Sequence, residues 1–393
     1  MSIAAAHLST NAALGHDSIR VMVVDDSALV CGLLTRWIEA EAGLAVVAAL
    51  RSGREAIEQL ERADPDVVIL DVDMPDMDGI SALPHLITKR RDLVVIMAST
   101  LTRRNAEISM RALALGAADY IPKPEAAGEI TTSSSFHREL IEKIRALGSR
   151  RKWRSMQARA PHPAAAVSPA RADLRHVASP EIAPTSEHAL VKLRPFPVTM
   201  PRVVLVGSST GGPQALNSFI ARLNGVIDAA PVLIVQHLPP TFTTILAEHL
   251  ARASGRVTRE AVAGEPVHAG QIYIAPGGRH MRVVRRDGTP SVALDDGPPV
   301  NFCKPAVDHL FSSAAEVWGP RSLAVVLTGM GSDGARGAAD IVAAGGSVIA
   351  QDEATSVVWG MPGSVAHAGL CSAVLPLDQI APRIVRLICG GRP

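Results

Sequence analysis

The stretch Pro201-Arg-Val-Val-Leu-Val-Gly-Ser-Ser-Thr-Gly-Gly-Pro213 runs from an apolar strand into a glycine-flanked turn that presents Ser209. Gly207-Ser208-Ser209-Thr210-Gly211 fits the G-x-S-x-G elbow, in which glycines allow a tight strand-to-helix turn and lift a serine hydroxyl clear of the sheet. An ordinary strand–helix connection or an anion-binding loop would read the same way, so the neighbouring runs decide. Pro231-Val-Leu-Ile-Val-Gln-His237 ends in a histidine, and Leu323-Ala-Val-Val-Leu-Thr-Gly-Met-Gly-Ser-Asp333 ends in a glycine-rich turn carrying an aspartate. Continuously apolar runs are the pattern of strands buried on both faces of a parallel sheet. Helix-like stretches at Gln214–Leu223 and Phe242–Arg252 supply crossovers, so the strands point the same way and their carboxyl ends share one edge. Ser209, His237 and Asp333 can therefore converge where ligands bind in open α/β sheets.

A serine hydroxyl needs an imidazole to take its proton and a carboxylate to hold that imidazole in the right tautomer, and all three parts are present. Each has a plainer reading, since a histidine at a strand end is usually structural and an aspartate in Gly-Ser-Asp-Gly is usually a turn former or helix cap. Three coincident strand ends favour the chemistry. The order Ser, His, Asp differs from the Ser, Asp, His of the α/β-hydrolases, so membership of that fold is not implied. Backbone N–H groups in the turns at residues 209–212 and 329–331 could form an oxyanion hole.

The motifs Gly-Ser-Ser-Thr-Gly-Gly, Val-Gln-His-Leu-Pro-Pro, Ile-Tyr-Ile-Ala-Pro-Gly-Gly-Arg-His and Leu-Thr-Gly-Met-Gly-Ser-Asp-Gly resemble the catalytic domain of the chemotaxis protein-glutamate methylesterases, the CheB family, from about Pro201 to the C-terminus. The resemblance implies hydrolysis of glutamate methyl esters on chemoreceptors with release of methanol, and deamidation of receptor glutamines. It makes Ser209 the nucleophile, His237 the general base and Asp333 its orienting partner, with Thr210 and Met330 as oxyanion support. Val358-Trp359-Gly360-Met361-Pro362-Gly363 also matches, as a loop beside the active site. Lys304 and Ala306 depart from the arginine and serine the family commonly carries around the intervening proline, and a lysine cannot reproduce a bidentate arginine fork.

The N-terminal half is built on a second set of strand ends. Arg20-Val-Met-Val-Val-Asp-Asp-Ser27 ends in two carboxylates, Asp66-Val-Val-Ile-Leu-Asp71 in one, Leu93-Val-Val-Ile-Met-Ala-Ser-Thr100 in hydroxyls and Ala117-Ala-Asp-Tyr-Ile-Pro-Lys-Pro124 in a lysine. Gathered on one edge, Asp25, Asp26 and Asp71 repel one another unless a cation joins them, which makes a Mg²⁺ site. Asp71 would attack a phosphoryl donor while Lys123 and Ser99 hold the oxygens of the aspartyl phosphate. The constellation, with the loop Asp71-Val-Asp-Met-Pro-Asp-Met-Asp-Gly79, resembles the receiver domain of two-component response regulators over about Ile19 to Leu147. By that resemblance Asp71 is the phosphoacceptor, and Asp26, Asp71 and the backbone carbonyl of Asp73 are the metal ligands, with Asp25 close behind. Ser99 and Tyr120 are the switch pair, and Lys123-Pro124 falls where receivers often hold a cis peptide.

The expected architecture is α/β, with two doubly wound parallel-sheet domains: a flavodoxin-like receiver at residues 19–147 and a Rossmann-like methylesterase domain at 201–393. A flexible Pro/Ala/Arg-rich linker, residues 148–200, joins them. At 393 residues and 47% hydrophobic content, two cores are affordable, and with only 3% aromatics they must be filled by Val, Ile, Leu and Ala. A net charge of +1, a single basic run at residues 150–154 and no helix-turn-helix pattern argue against nucleic acid as a partner. Cys31, Cys303, Cys371 and Cys389 lack metal-ligand spacing and read as reduced thiols of a cytoplasmic protein, with Cys303, the one near the site, read as packing filler. No leader or spanning segment is apparent, so no membrane insertion is expected. The expected partners are methyl-accepting chemoreceptors as substrate and a chemotaxis-type histidine kinase as phosphodonor. The esterase reaction itself is expected to need no cofactor. A receiver-linked signalling adaptor, or a hydrolase of another protein ester, remains open at this stage.

Overall fold

The computed structural model describes residues 18–100, 102–123, 134–159 and 191–390. In the N-terminal half, β1 (Ile19–Val24), β2 (Leu44–Leu50), β3 (Val67–Asp71), β4 (Val94–Thr100) and β5 (Asp119–Lys123) form one sheet in the order β2-β1-β3-β4-β5, every pair parallel. That is the flavodoxin-like doubly wound order. β3 is buried at all five positions, as its unbroken apolar run requires. Helices at 28–39, 53–63, 79–89 and 103–114 begin on Ser27, Ser52, Asp78 and Thr102, whose side-chain oxygens each accept a first-turn N–H. One face of the sheet packs on Leu34, Ile38, Leu140 and Ile144, the other on Leu60, Leu83, Leu86 and Met110.

The helix that begins at Ser134 runs on to Arg159, so residues 148–159, assigned from sequence to the linker, continue it. Two contacts hold its extension against the sheet. Gly148 lies so close to β1 that an added Cβ would stand 2.6 Å from Ile19 Cγ2. Arg151, buried, pairs with Asp66 and donates to Asp92 Oδ2 at 2.8 Å. A buried guanidinium needs such partners, and they are drawn from the N-terminal ends of β3 and β4. Pro124, and with it the geometry of the Lys123-Pro124 bond, lies outside the described residues.

In the C-terminal half, β6 (Val203–Ser208), β7 (Val232–Gln236), β8 (Val257–Glu260) and β9 (Gln271–Ile274) join a sheet that three later strands complete. Between them, β10 (His280–Arg286) and β11 (Thr289–Asp295) make a separate antiparallel hairpin around Asp287-Gly288, both at positive φ. β12 (Ser322–Val326), β13 (Ser347–Gln351) and β14 (Ala373–Leu375) follow, and the seven-stranded order is β14-β13-β12-β6-β7-β9-β8, all pairs parallel. From β6 the chain winds first toward β7 and later returns to place β12 on the other side. β6 therefore sits at the topological switch point, where a crevice opens beyond the strand ends. Ser209 follows β6 at that crevice.

The two halves touch. Tyr120 on β5 stacks on Phe242 with ring centroids 4.5 Å apart and planes 10° from parallel. Gln214 Nε2 donates to the carbonyls of Leu113 and Ala117, both at 2.8 Å, and Arg103 pairs with Glu248 at 3.0 Å. Arg138 lies over the Phe302 ring at 4.1 Å. Among the described residues, no helix is long and apolar enough to cross a membrane.

Candidate active site and phosphoacceptor pocket

The elbow after β6 is fixed from three sides. Ser209 N–H donates to the Thr328 carbonyl at 3.0 Å, which ties it to the end of β12. Gln236, buried at the end of β7, donates from Nε2 to the Ser209 carbonyl at 2.8 Å and accepts from Ser208 Oγ at 2.7 Å. Gly211 adopts φ 75°, a left-handed conformation that a side chain would strain, and an added Cβ would meet Val357 Cβ at 2.5 Å. Gly329 is required by crowding: a Cβ there would run into Met361 Sδ and lie 2.9 Å from Ser209 Cβ.

Thr328 is the hub of the surrounding loops. Its hydroxyl donates to the Thr210 carbonyl at 2.9 Å and accepts from the N–H groups of Val357 and Val358, each at 3.0 Å, while its own N–H donates to Gln351 Oε1 at 2.8 Å. Neither Thr328, Gln236 nor Gln351 was singled out from sequence. The signal available was a polar residue closing an otherwise apolar strand, which is costly to bury unless hydrogen-bonded. Thr328→Val keeps the shape but leaves the Thr210 carbonyl and two amides without this partner. It should cost about 1–3 kcal/mol in denaturant unfolding and lower kcat through a loosened elbow; wild-type values in both measurements would show that the hydroxyl is dispensable.

His237 and Asp333 meet as their placement on strand ends predicts. His237 Nε2 stands 2.7 Å from Asp333 Oδ2, with both side chains nearly buried. Asp333 also accepts from the N–H groups of Val307 at 2.6 Å, Asp308 at 3.0 Å and Gly334 at 2.8 Å, the first two at the start of the helix Val307–Trp318. Burial alone would raise its pKa. The His237 bond and charge, with the helix-end amides, outweigh burial and hold the carboxyl below its ordinary value. Asp333 is thus an ionised anchor for the ring.

Ser209, Thr210, His237 and Met330 line one cavity of about 730 Å³ whose far wall includes Tyr120, Arg138 and Glu139 of the N-terminal half. Thr210 is buried and Met330 half-buried at its rim. The structure corrects the filler reading of Cys303: its Sγ lies 3.3 Å from His237 Nδ1, the ring nitrogen that Asp333 leaves open. Lys304 Nζ donates to the Asp296 carbonyl at 2.9 Å, and Ala306 N–H donates to His280 Nδ1 at 3.1 Å, so both departures from the family pattern fall in one pinned loop.

In the N-terminal half, ligand oxygens of Asp25, Asp26 and Asp71 lie within 4.8 Å of one another. Lys123 Nζ bridges Asp71 Oδ1 at 2.6 Å and Asp25 Oδ2 at 3.0 Å. Burial, reinforced by the Asp25 charge and opposed by Lys123, pushes the Asp71 carboxyl up to about 6. A carboxylate cluster so short of positive charge fits a hard dication held by oxygen ligands. The Asp73 side chain instead accepts from Asn105 Nδ2 at 3.0 Å, so any role in metal binding falls to its backbone. Ser99 shares a hydrogen bond with Ser109 Oγ at 2.9 Å, and Tyr120 is turned inward, buried against Phe242.

Residues 21–134 match the response regulator receiver domain, and residues 204–384 match the CheB methylesterase family. A receiver on the same chain as an ester-hydrolase domain defines a response regulator whose output is hydrolysis. The chain is 61% identical over 399 residues to the Rhodopseudomonas palustris protein-glutamate methylesterase/protein-glutamine glutaminase of group 2 operon, covering 100% of both. It is 58% identical over 397 residues to its Bradyrhizobium diazoefficiens namesake, again covering 100% of both. The crystal structure of the Thermotoga maritima CheB methylesterase catalytic domain is 41% identical, spans 48% of this chain and 100% of its own, and has a TM-score of 0.47. The chain belongs to the CheB methylesterase family.

Proposed function

We propose that this protein is a phosphorylation-activated, cytoplasmic protein-glutamate methylesterase that hydrolyses glutamate methyl esters on chemoreceptors, deamidates receptor glutamines and serves chemotactic adaptation. The domain division is a receiver over residues 19–147, whose last helix continues to Arg159, and a catalytic domain over 201–393, to which residues 191–200 attach. The observation that carries the reading is that Ser209 and His237 line one cavity walled by a receiver face, with Asp333 buried 2.7 Å behind His237.

In this mechanism Ser209 Oγ attacks the ester carbonyl and loses its proton to His237 Nδ1, the nitrogen opposite the one Asp333 holds. Asp333, ionised and pinned by helix-end amides, keeps the ring oriented and stabilises the imidazolium. Backbone amides at Thr210 and Met330 face the oxyanion. His237 then returns the proton to the departing methoxide, giving methanol and an acyl-serine that water hydrolyses by the same route reversed. A glutamine side chain would follow the same path with ammonia as leaving group. A fluorophosphonate should label the Ser209 peptide in the folded protein; its absence from that peptide would sink the serine mechanism.

The receiver governs access. Asp71 takes the phosphoryl group from a histidine kinase, and Lys123 and Ser99 hold its oxygens. Asp25, Asp26, Asp71 and the Asp73 carbonyl would hold Mg²⁺, which neutralises charge on the transferring phosphoryl group. Ser99 must leave Ser109 to reach the phosphate, and Tyr120 must respond, which disturbs the stack on Phe242. Mg²⁺ should stabilise the full chain by ~2.7 kcal/mol at a hundredfold excess over Kd. Asp26→Asn should remove most of that gain in thermal unfolding; an equal gain in both proteins would place the metal elsewhere.

A further inference from the structure

A second nucleophile in the cavity is a thiol. Cys303 Sγ lies 3.3 Å from His237 Nδ1 and 3.5 Å from the Asn301 carbonyl. With Asp333 on Nε2, the line Asp333–His237–Cys303 has the connectivity of a cysteine-hydrolase triad, built on the imidazole that the ester mechanism assigns to Ser209. Cys303 is half-buried and lines the 730 Å³ cavity, so its sulfur is both partnered and reachable.

We propose that Cys303 is a covalent modification site for small soft electrophiles, peroxides foremost, and that its modification switches the esterase off. The inference rests on the serine mechanism above only for the activity it would stop.

Thiols react as thiolates, and an adjacent imidazolium is the commonest way a protein produces one. Burial works against a charged His237 ring. The Asp333 hydrogen bond and the contact with Cys303 oppose it, so His237 can take the Cys303 proton as it takes that of Ser209. The other cysteines are poorer targets: burial pushes Cys31 up to about 11 and Cys371 up to about 12, and Cys389 is exposed but lies outside the cavity that His237 lines. With a peroxide, the sulfur attacks one oxygen, an S–O bond forms and the O–O bond breaks. Sulfur loses two electrons to the peroxide, and the His237 proton leaves with the departing hydroxide as water. The product is a sulfenic acid. With a haloacetamide, an S–C bond forms, halide leaves and the imidazolium keeps its proton. Either adduct occupies the Nδ1 side of the ring, where the Ser209 proton must go.

The test uses iodoacetamide and, separately, hydrogen peroxide on the full-length protein at pH 7. Peptide mass mapping follows each cysteine, and methanol release is expressed relative to each protein's own untreated rate. Cys303 should be carbamidomethylated at least ~10-fold faster than exposed Cys389, and His237→Gln should erase most of that advantage. Activity should fall in step with Cys303 modification in the wild type and be retained after treatment in Cys303→Ser. Equal labelling rates at Cys303 and Cys389 in a folded wild type would overturn the proposal, as would full Cys303 modification with activity intact. Absence of methanol release before treatment would count against the esterase reading alone, because selective labelling and its dependence on His237 are read by mass.

Discussion

Ser209→Ala should lower kcat for methyl-ester hydrolysis by roughly 10⁴- to 10⁶-fold, the range seen when the nucleophile of a serine triad is removed. The elbow itself should survive. Its fixation runs through backbone groups of Ser209 and through Gln236 and Thr328, none of which needs the hydroxyl. A half-buried hydroxyl lost from a cavity wall should change stability by less than about 1 kcal/mol. Steady-state methanol release and thermal unfolding of the two proteins separate the alternatives: a loss of only a few fold in a folded variant would mean that Ser209 positions substrate and another group attacks.

Removing residues 1–190 should raise the rate without phosphodonor by about tenfold if the closed arrangement is favoured by ~1.4 kcal/mol. The covering contacts among the described residues include the Tyr120–Phe242 stack, the Gln214 bonds to Leu113 and Ala117, Arg138 over the Phe302 ring, and the exposed Arg103–Glu248 pair. An exposed ion pair adds little, so the stack and the buried carbonyl contacts should dominate. The cut belongs before Val191, because Arg194 N–H donates to the Cys371 carbonyl at 2.8 Å and Phe196 packs under Arg383, which makes this segment part of the catalytic half. The truncated protein should also lose its response to phosphodonor. An unchanged or lower rate in a folded fragment would contradict occlusion by the receiver.

Much of this was legible because parallel sheets advertise themselves. Val67–Asp71 and Val203–Ser208 are unbroken apolar runs, and each delivers a polar group at the edge where the neighbouring strands deliver theirs. Pairwise convergence, His237 with Asp333 and Lys123 with Asp25 and Asp71, follows from that geometry. What composition concealed was tertiary. Residues 148–159 looked like linker because Trp153 and Met156 are their only large apolar side chains and give no helical apolar period, yet buried Asp66 and exposed Asp92, at the starts of β3 and β4, supply Arg151 with partners. The β10–β11 hairpin was signalled by Asp287-Gly288 between two mixed polar and apolar runs, a pattern not used in the sequence reading. Cys303 looked inert since its spacing from the other cysteines carries no message. Its importance comes from a loop that folds back onto His237, a contact between residues 66 positions apart.

The central claim is a phosphorylation-gated serine esterase. Its most direct test is methanol release from methyl-labelled receptor membranes by wild type and Ser209→Ala, each with and without a small-molecule phosphodonor and Mg²⁺. Release should require Ser209 and rise severalfold with phosphodonor. Release that is independent of Ser209, or no release from folded wild type under either condition, would contradict it.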